Sequence, residues 1–452
     1  MTGYCVSDIA AITGGVLSGD GAALVTGVVI DSRAVTPGAL FAAIPGERVD
    51  GHDYIGKAFD LGAACCLAQR VPAGETRPVI CVPDTAAALE TLARAYRARF
   101  SIPVLGVTGS VGKTTAKEMV ASVLSQRWNT LKTEKNFNNQ LGVPLTLFRL
   151  EPEHEAAVVE MGVSHFGDMV PLAAMVQPTA MLFTIIGHAH LEFLRDRRGV
   201  LQEKTSVLDT MPDDAVAFCN GDDDLLRAMT CRQRKVTFGL SAGCDVRAVD
   251  VRDLGDEGST CTIIAGTRRI PVRISAYGQH MVYAALEGAA VGIEYGLTDD
   301  EIIRGIAAYQ PVGSRARVVR TARYTVIDDC YNANPDSTAA ALRSMATLPA
   351  GRRVAVLGNM GELGTNAAAL HRETGVCAAK AGVSLVITCG ELARQIAAGA
   401  AAEDPAVATA SFDTLDALLP ALPGLLQPGD CVLVKASHSM QFERIVQALT
   451  QA

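Results

Sequence analysis

The string GVTGSVGKTT, Gly106 to Thr115, carries the residue types that hold a nucleoside triphosphate. Gly109 and Gly112 let the backbone curl so that its N–H groups converge on phosphate oxygens. Lys113 supplies a cation for the terminal phosphates, and Thr114 offers a hydroxyl to Mg²⁺. Ser110, Val111 and Thr115 complete the loop. The spacing is shorter than that of the usual phosphate loop. Counting back from Gly112, the first glycine of that pattern belongs at 107, where the chain has Val107.

Such a loop needs a strand before it and a helix after it. SIPVLGV reads as a buried strand. In TTAKEMVASVLSQR, residues Ala116, Met119, Val120, Val123 and Leu124 fall at i, i+3, i+4, i+7 and i+8, an amphipathic helix that begins at the loop. Its first amides and positive dipole end add to the anion site.

Other chemistry-bearing residues follow apolar runs. Glu160 ends AAVVE, and His188 and His190 end AMLFTIIGHAH. Asp328, Asp329 and Tyr331 follow YTVI, Asn359 and Glu362 follow RVAVL, and Lys435 ends CVLVK. In open parallel sheets ligands bind beyond the carboxyl ends of the strands, so these residues mark one polar edge in each of two domains. Glu160 offers magnesium a carboxylate; His190 offers a less usual nitrogen or orders a water. Lys204, in GVLQEKTSVLDTM, shares a face with Val200, Leu201, Val207 and Leu208, and by pattern alone is an ordinary, partly buried helix lysine. Arg315, Asp329, Tyr331 and Lys435 lie beyond the loop segment, where they read either as surface charge or as a lid over a nucleotide.

The elements that must position these residues divide the chain into three. A length of 452 residues suits about three domains. Residues 1–100 have short strands such as VTGVVI and turn-rich connections; 101–310 carry the loop; 311–452 alternate strands with Ala-rich helices. This alternation predicts an α/β fold on mainly parallel sheets. AAGAAAEDPAVATA reads as helix plus loop. The net charge of -8 with no basic block argues against nucleic acid. No run reaches the roughly 18 apolar residues of a membrane span, and the start lacks a basic leader. A soluble, cytoplasmic monomer is expected. The 12 cysteines show no C-x-x-C and read as reduced thiols.

Together these strings resemble the Mur ligase family over nearly the whole chain. The likeness is carried by DSR with PGALFAAIPGERVDGHDYI, TGSVGKTT, TEKNFNNQLGVPLTL, EMGVSHFGDM, AHLEFL, IDDCYNANPDS, LGNMGELG with His371 after it, and GDCVLVKAS. The short G-x-x-G-K-T loop is that family's own version. YNANP and GNMGELG are similar to the branch that adds a dipeptide, and the Asp-Asn-Pro-Arg string of a sister branch is absent.

The resemblance implies an N-terminal domain for a UDP-sugar substrate, a P-loop-type central ATPase domain and a Rossmann-like C-terminal domain. It implies that ATP and Mg²⁺ activate the terminal carboxylate of UDP-N-acetylmuramoyl-tripeptide as an acyl phosphate, which the amine of D-Ala-D-Ala then attacks. By position it implies Thr114 and Glu160 at one magnesium and His190 at a second metal. Lys204 matches a lysine that becomes a carbamate and helps hold magnesium, which reverses its bland reading on family grounds only. Lys113, Lys204, His190 and Arg315 would be the catalytic set. Asp329, Tyr331 and Asn334 would join the loop in holding the nucleotide. Ser32, Arg33, Asn138, Asn139, Ser164 and Lys435 would meet the substrates. The chain departs from the family at Met281 and Ala284, where asparagines are usual, and at Asn359, Ala436 and His438. Two other readings share the motifs: a folylpolyglutamate synthase-like or other amide ligase, and a non-catalytic nucleotide-binding relative.

Overall fold

Each apolar run named above becomes a strand of one of three sheets in the computed structural model, which describes residues 1–46 and 49–451. Glu47 and Arg48 of the N-terminal string lie outside those residues. The first sheet runs in the order Val16–Ser18, Val79–Cys81, Cys65–Ala68, Ala39–Ala42, Gly27–Val29. All its pairings are parallel except that of Val16–Ser18 with Val79–Cys81.

The central sheet has nine strands. Thr130–Lys132, Ala156–Glu160, Val104–Thr108, Ala180–Phe183, Val216–Asn220, Arg234–Gly239 and Val246–Asp253 pair in parallel; Ser259–Ala265 and Arg268–Ile274 extend it antiparallel. The third sheet has six: Arg317–Arg320, Thr325–Asp328, Cys431–Lys435, Arg353–Gly358, Leu385–Cys389 and Ala408–Phe412, parallel after the first pair. The protein is thus a three-domain, mixed α/β protein. Its Ala-rich segment departs from the expected helix plus loop: helix Arg394–Glu403 is followed by Ala408–Phe412, an edge strand. That strand is half exposed, so it lacks the apolar run that marks buried strands.

The helix after the phosphate loop, Lys113–Leu124, is held by burial on two sides. Ala116, Met119, Val120, Val123 and Leu124 are all buried, as their spacing predicts, and a fully buried Val, Leu or Met is worth about 1.5–3 kcal/mol. Helix His280–Glu294 and helix Asp299–Ala308 pack against it through glycines. A Cβ at Gly305 would stand 2.4 Å from Val123 Cα, and one at Gly288 would stand 3.0 Å from the Val123 side chain. This close approach fixes the start of the helix, and hence the loop, against the rest of the domain.

Contacts tie the domains together. The Tyr96 hydroxyl donates to the Leu150 carbonyl at 2.7 Å, joining the first domain to the second. Arg320 pairs with Asp256 at 2.6 Å, joining the third to the second. No helix among the described residues is long and apolar enough to cross a membrane.

Candidate functional site

The loop from Gly109 to Gly112 leaves the strand Val104–Thr108 and is bent by two glycines. Gly109 has φ +152° and Gly112 has φ +87°, and a Cβ on Gly109 would collide with the Thr184 side chain. Thr184 Oγ1 donates to the Val111 carbonyl at 2.6 Å, and the Ser110 amide donates to the Ile185 carbonyl at 2.8 Å. The loop is therefore clamped from the segment after the neighbouring strand. Gly112 is the N-cap of the helix and brings no side-chain cap, so the first-turn amides stay available. Lys113 Nζ donates to the Gly109 carbonyl at 2.8 Å. Burial lowers the proton affinity of Lys113, Glu160 raises it, and Arg315 lowers it.

Thr114 Oγ1 donates to Glu160 Oε2 at 2.9 Å, while Asn138 Nδ2 donates to Glu160 Oε1 at 2.7 Å. Glu160 is buried at the carboxyl end of its strand. A hydroxyl and a carboxylate held together in this way are hard oxygen donors and fit a magnesium ion that keeps waters and phosphate oxygens as its other ligands. Among the described residues no group of three or more His, Cys, Asp or Glu could hold a metal, so the protein itself brings few ligands.

His190 caps a short helix in the left-handed conformation, φ +56°, and its Nδ1 lies 2.5 Å from Glu362 Oε2. That contact spans the central and C-terminal domains. His188 does the same one step earlier: its amide donates to Asp336 at 2.5 Å and its Nδ1 lies 3.1 Å from the same carboxylate.

Lys204 is fully buried on helix Arg197–Thr205, and Nζ has no hydrogen-bond partner. Burial first, then the charge of Lys113, push its proton affinity well below the ordinary lysine value, against a smaller pull from Glu203 and Asp168. Its neighbour Glu203 is occupied, accepting from the amides of Gly167 and Met169 at 2.8 and 2.7 Å. A buried amine whose proton affinity is lowered in this way is a better nucleophile toward CO₂ than an exposed lysine, so the residue fits a carbamate.

The C-terminal residues reach the same place from the opposite side. Lys435 Nζ pairs with Asp329 at 2.6 Å and donates to the Asn332 carbonyl at 2.9 Å. Asp329 also accepts from the Ala316 amide at 3.1 Å. The Arg315 guanidinium lies 4.1 Å above the Tyr331 ring. Asn334 caps helix Pro335–Thr347, accepting from the Ser337 amide at 2.8 Å.

One cleft of about 1130 Å³ gathers the loop from Ser110 to Thr115, Glu160, His190, Arg315, Asp329 and Lys435. Asn138, Asn139, Ser164, Tyr331 and Asn334 line it too. Asn139 already uses its side-chain oxygen on the Gly142 amide, at 2.9 Å, and Ser164 lies beside Asp168, which accepts the Ser164 amide at 2.9 Å. Lys204 is fully buried and does not line the cleft. Ser32 and Arg33 sit apart in the first domain, with Arg33 exposed and paired to Asp31 at 2.7 Å. The sequence reading missed Asp336, Thr184, Asp222, Tyr283 and Glu287. The last four lie in or after strands or on a helix face that carried no motif. Asp336 sits beside the YNANP string and could have been found there.

Three domain families match the chain: Mur ligase middle domain over 107–292, Mur ligase glutamate ligase domain over 314–438, and Mur ligase family catalytic domain over 24–97. The UDP-N-acetylmuramoyl-tripeptide--D-alanyl-D-alanine ligase of Bacillus subtilis is 34% identical, with 95% of this chain and 94% of that protein covered. The crystal structure of MurF from Acinetobacter baumannii superposes with a TM-score of 0.91 at 28% identity, covering 99% of each chain. MurF ligase from Thermotoga maritima in complex with ADP superposes at 0.81 and 27% identity, over 94% of this chain and 97% of that one. With its loop, its polar strand ends and its whole length accounted for in this way, the chain belongs to the Mur ligase family.

Proposed function

We propose that the protein is an ATP-dependent amide ligase that adds D-alanyl-D-alanine to UDP-N-acetylmuramoyl-tripeptide, yielding the pentapeptide precursor of peptidoglycan. The observation that carries the reading is the uncapped helix start at Gly112 and Lys113, facing Arg315 and the Lys435–Asp329 pair across one cleft. The full-length likeness to ligases bearing that name supports the choice of substrates over the folylpolyglutamate synthase-like and non-catalytic readings.

The chemistry follows from the donors. A carboxylate is a poor acyl donor until one of its oxygens becomes a good leaving group. The tripeptide carboxylate oxygen attacks the γ-phosphorus, the bond to the β-phosphate oxygen breaks, and ADP leaves. The dipeptide amine then forms a C–N bond at the acyl carbon, loses a proton, and inorganic phosphate departs. The first-turn amides, Ser110 to Thr115 and Lys113 hold and orient the phosphates; Arg315 balances charge on the transferred group. Asp329, Tyr331 and Asn334 border the nucleotide. Thr114 and Glu160, with His190 nearby, are the residues that would hold magnesium, which neutralises phosphate charge when bound. Lys204, were it a carbamate, would bring an anion near Lys113 that could help hold the same magnesium. Asn138, Asn139, Ser164 and Lys435 border the acyl and dipeptide ends, and Ser32 and Arg33 meet the UDP end. This reading implies a cytoplasmic enzyme, since both UDP-linked substrate and ATP are found there, and we propose that it acts as a monomer.

Phosphate release from ATP tests the proposal. It should require both UDP-N-acetylmuramoyl-tripeptide and D-Ala-D-Ala with Mg²⁺. Release that ignores the dipeptide would contradict it.

A further inference from the structure

The segment that leaves strand Ala180–Phe183 touches both the phosphate loop and the C-terminal domain. At its start it is tied to the central domain. The Ile186 amide donates to Asp223 Oδ2 at 2.9 Å, and the Ile186 carbonyl accepts from Arg197 Nε at 2.8 Å. Gly187 then meets the loop. Its amide donates to Ser110 Oγ at 2.9 Å, and that hydroxyl donates back to the Gly187 carbonyl at 3.3 Å. With the Thr184 and Ile185 contacts described above, the segment fixes the shape of the loop at Ser110 and Val111.

Gly187 also meets Asp336, in the first turn of the C-terminal helix Pro335–Thr347. The Asp336 carboxylate accepts the next amide of the segment, that of His188, at 2.5 Å, and lies 3.1 Å from the His188 ring. A Cβ on Gly187 would collide with it, so the glycine is what admits the carboxylate to the backbone. Burial pushes the Asp336 proton affinity up, but the bonds from the His188 ring and amide outweigh it and hold the group below the usual carboxylate range. An ionised acceptor on a backbone amide makes the stronger class of hydrogen bond.

Resting on the phosphate-loop reading above, we propose that Asp336 is a positioning residue: by holding the backbone at Gly187 and His188, it makes the seating of the C-terminal domain and the shape of the loop at Ser110 depend on each other. The C-terminal domain carries Arg315, Asp329 and Lys435 to the cleft, and the loop holds the phosphates they face. Phosphoryl transfer needs both in register, and small displacements are costly. Asp336 touches no reacting atom; it acts through Gly187 and Ser110.

Amide hydrogen exchange on the full-length, ligand-free protein tests the coupling. Asp336→Ala should speed exchange about tenfold at His188 and also at Gly187 and Ser110, the scale of one hydrogen bond to a charged group. Ile186, held by Asp223, should hardly change. Unchanged exchange at Ser110, or an equal rise at Ile186, overturns the inference: the contact would then join the domains without reaching the loop, or merely stabilise the whole. Turnover supplies a second readout. Asp336→Ala should lower kcat about tenfold, and Asp336→Asn, which keeps an oxygen for the amide, should recover most of it. Gly187→Ala displaces the carboxylate of an unaltered Asp336, so it should cost about as much as Asp336→Ala and add nothing to it in the double variant. Additive losses overturn the inference while leaving the ligase reading standing. A wild type without ligase turnover removes the proposed reaction, and the exchange rates still decide the coupling.

Discussion

The two walls of the cleft are built on opposite plans. The central-domain wall keeps an open anion site, the helix start at Gly112 that has no side-chain cap, and its domain holds Lys204, buried with no hydrogen-bond partner. The C-terminal wall is satisfied internally: Lys435 pairs with Asp329, Asn334 caps its own helix, and Arg315 stacks on Tyr331. Open groups cost stability in the empty protein and repay it on binding, whereas satisfied groups hold their shape before any ligand arrives. The central wall therefore acts as the receptor, and the C-terminal wall as a preformed cover. The contacts His188 to Asp336 and His190 to Glu362 bring the two together.

That contrast can be broken at several points. The largest effect belongs to Lys113→Ala, which removes the cation from the open wall. Turnover should fall about a thousandfold, the scale of losing a preorganised charge donor, while the melting temperature stays near wild type. A rate within a few fold of wild type would mean that the phosphates bind elsewhere.

The satisfied wall should respond in the other currency. Lys435→Met removes the buried cation from the partly buried Asp329, which keeps only the Ala316 amide, and should cost about 3 kcal/mol of stability; adding Asp329→Asn should recover most of it. Denaturant melts of the single and double variants decide the matter, and equal, additive losses would show that the pair is no unit.

Lys204→Ala should cost turnover about tenfold to a hundredfold, as for groups that support a metal site, and a short carboxylate should restore part of it. The same change should not weaken the fold beyond its small cavity, because the amine has no bond to lose. An unchanged rate would remove the carbamate.

The smallest effect concerns pH. Burial raises the Glu287 affinity for protons in the folded state above its unfolded value near 4.3. Between that value and the raised one, the folded protein binds the extra proton, so this contribution is present at low pH and fades as pH rises. Glu287→Gln should flatten that fall, as read from melting temperature against pH. Parallel profiles for wild type and variant would show that the carboxyl titrates normally.

How much of this was legible in the sequence depends on whether a residue acts through its neighbours in the chain or across space. The loop, its strand and its helix were readable because glycine spacing and the Ala116–Leu124 periodicity are local. So was the polar edge, because strand ends are marked by the loss of apolar residues. The cross-domain pair of His190 with Glu362 spans 172 positions and leaves no pattern. Lys204 looked ordinary because sequence shows its face, not the depth of its burial. Glu287 sits in an Ala-rich helix where only the cleft reveals which side it faces. The edge strand Ala408–Phe412 was hidden by its own exposure.

The central claim is that the cleft makes a carboxylate reactive by phosphorylating it. Tripeptide labelled with ¹⁸O in its terminal carboxyl, incubated with ATP and D-Ala-D-Ala, should pass one labelled oxygen into the inorganic phosphate released. Unlabelled phosphate accompanying full amide formation would contradict the account.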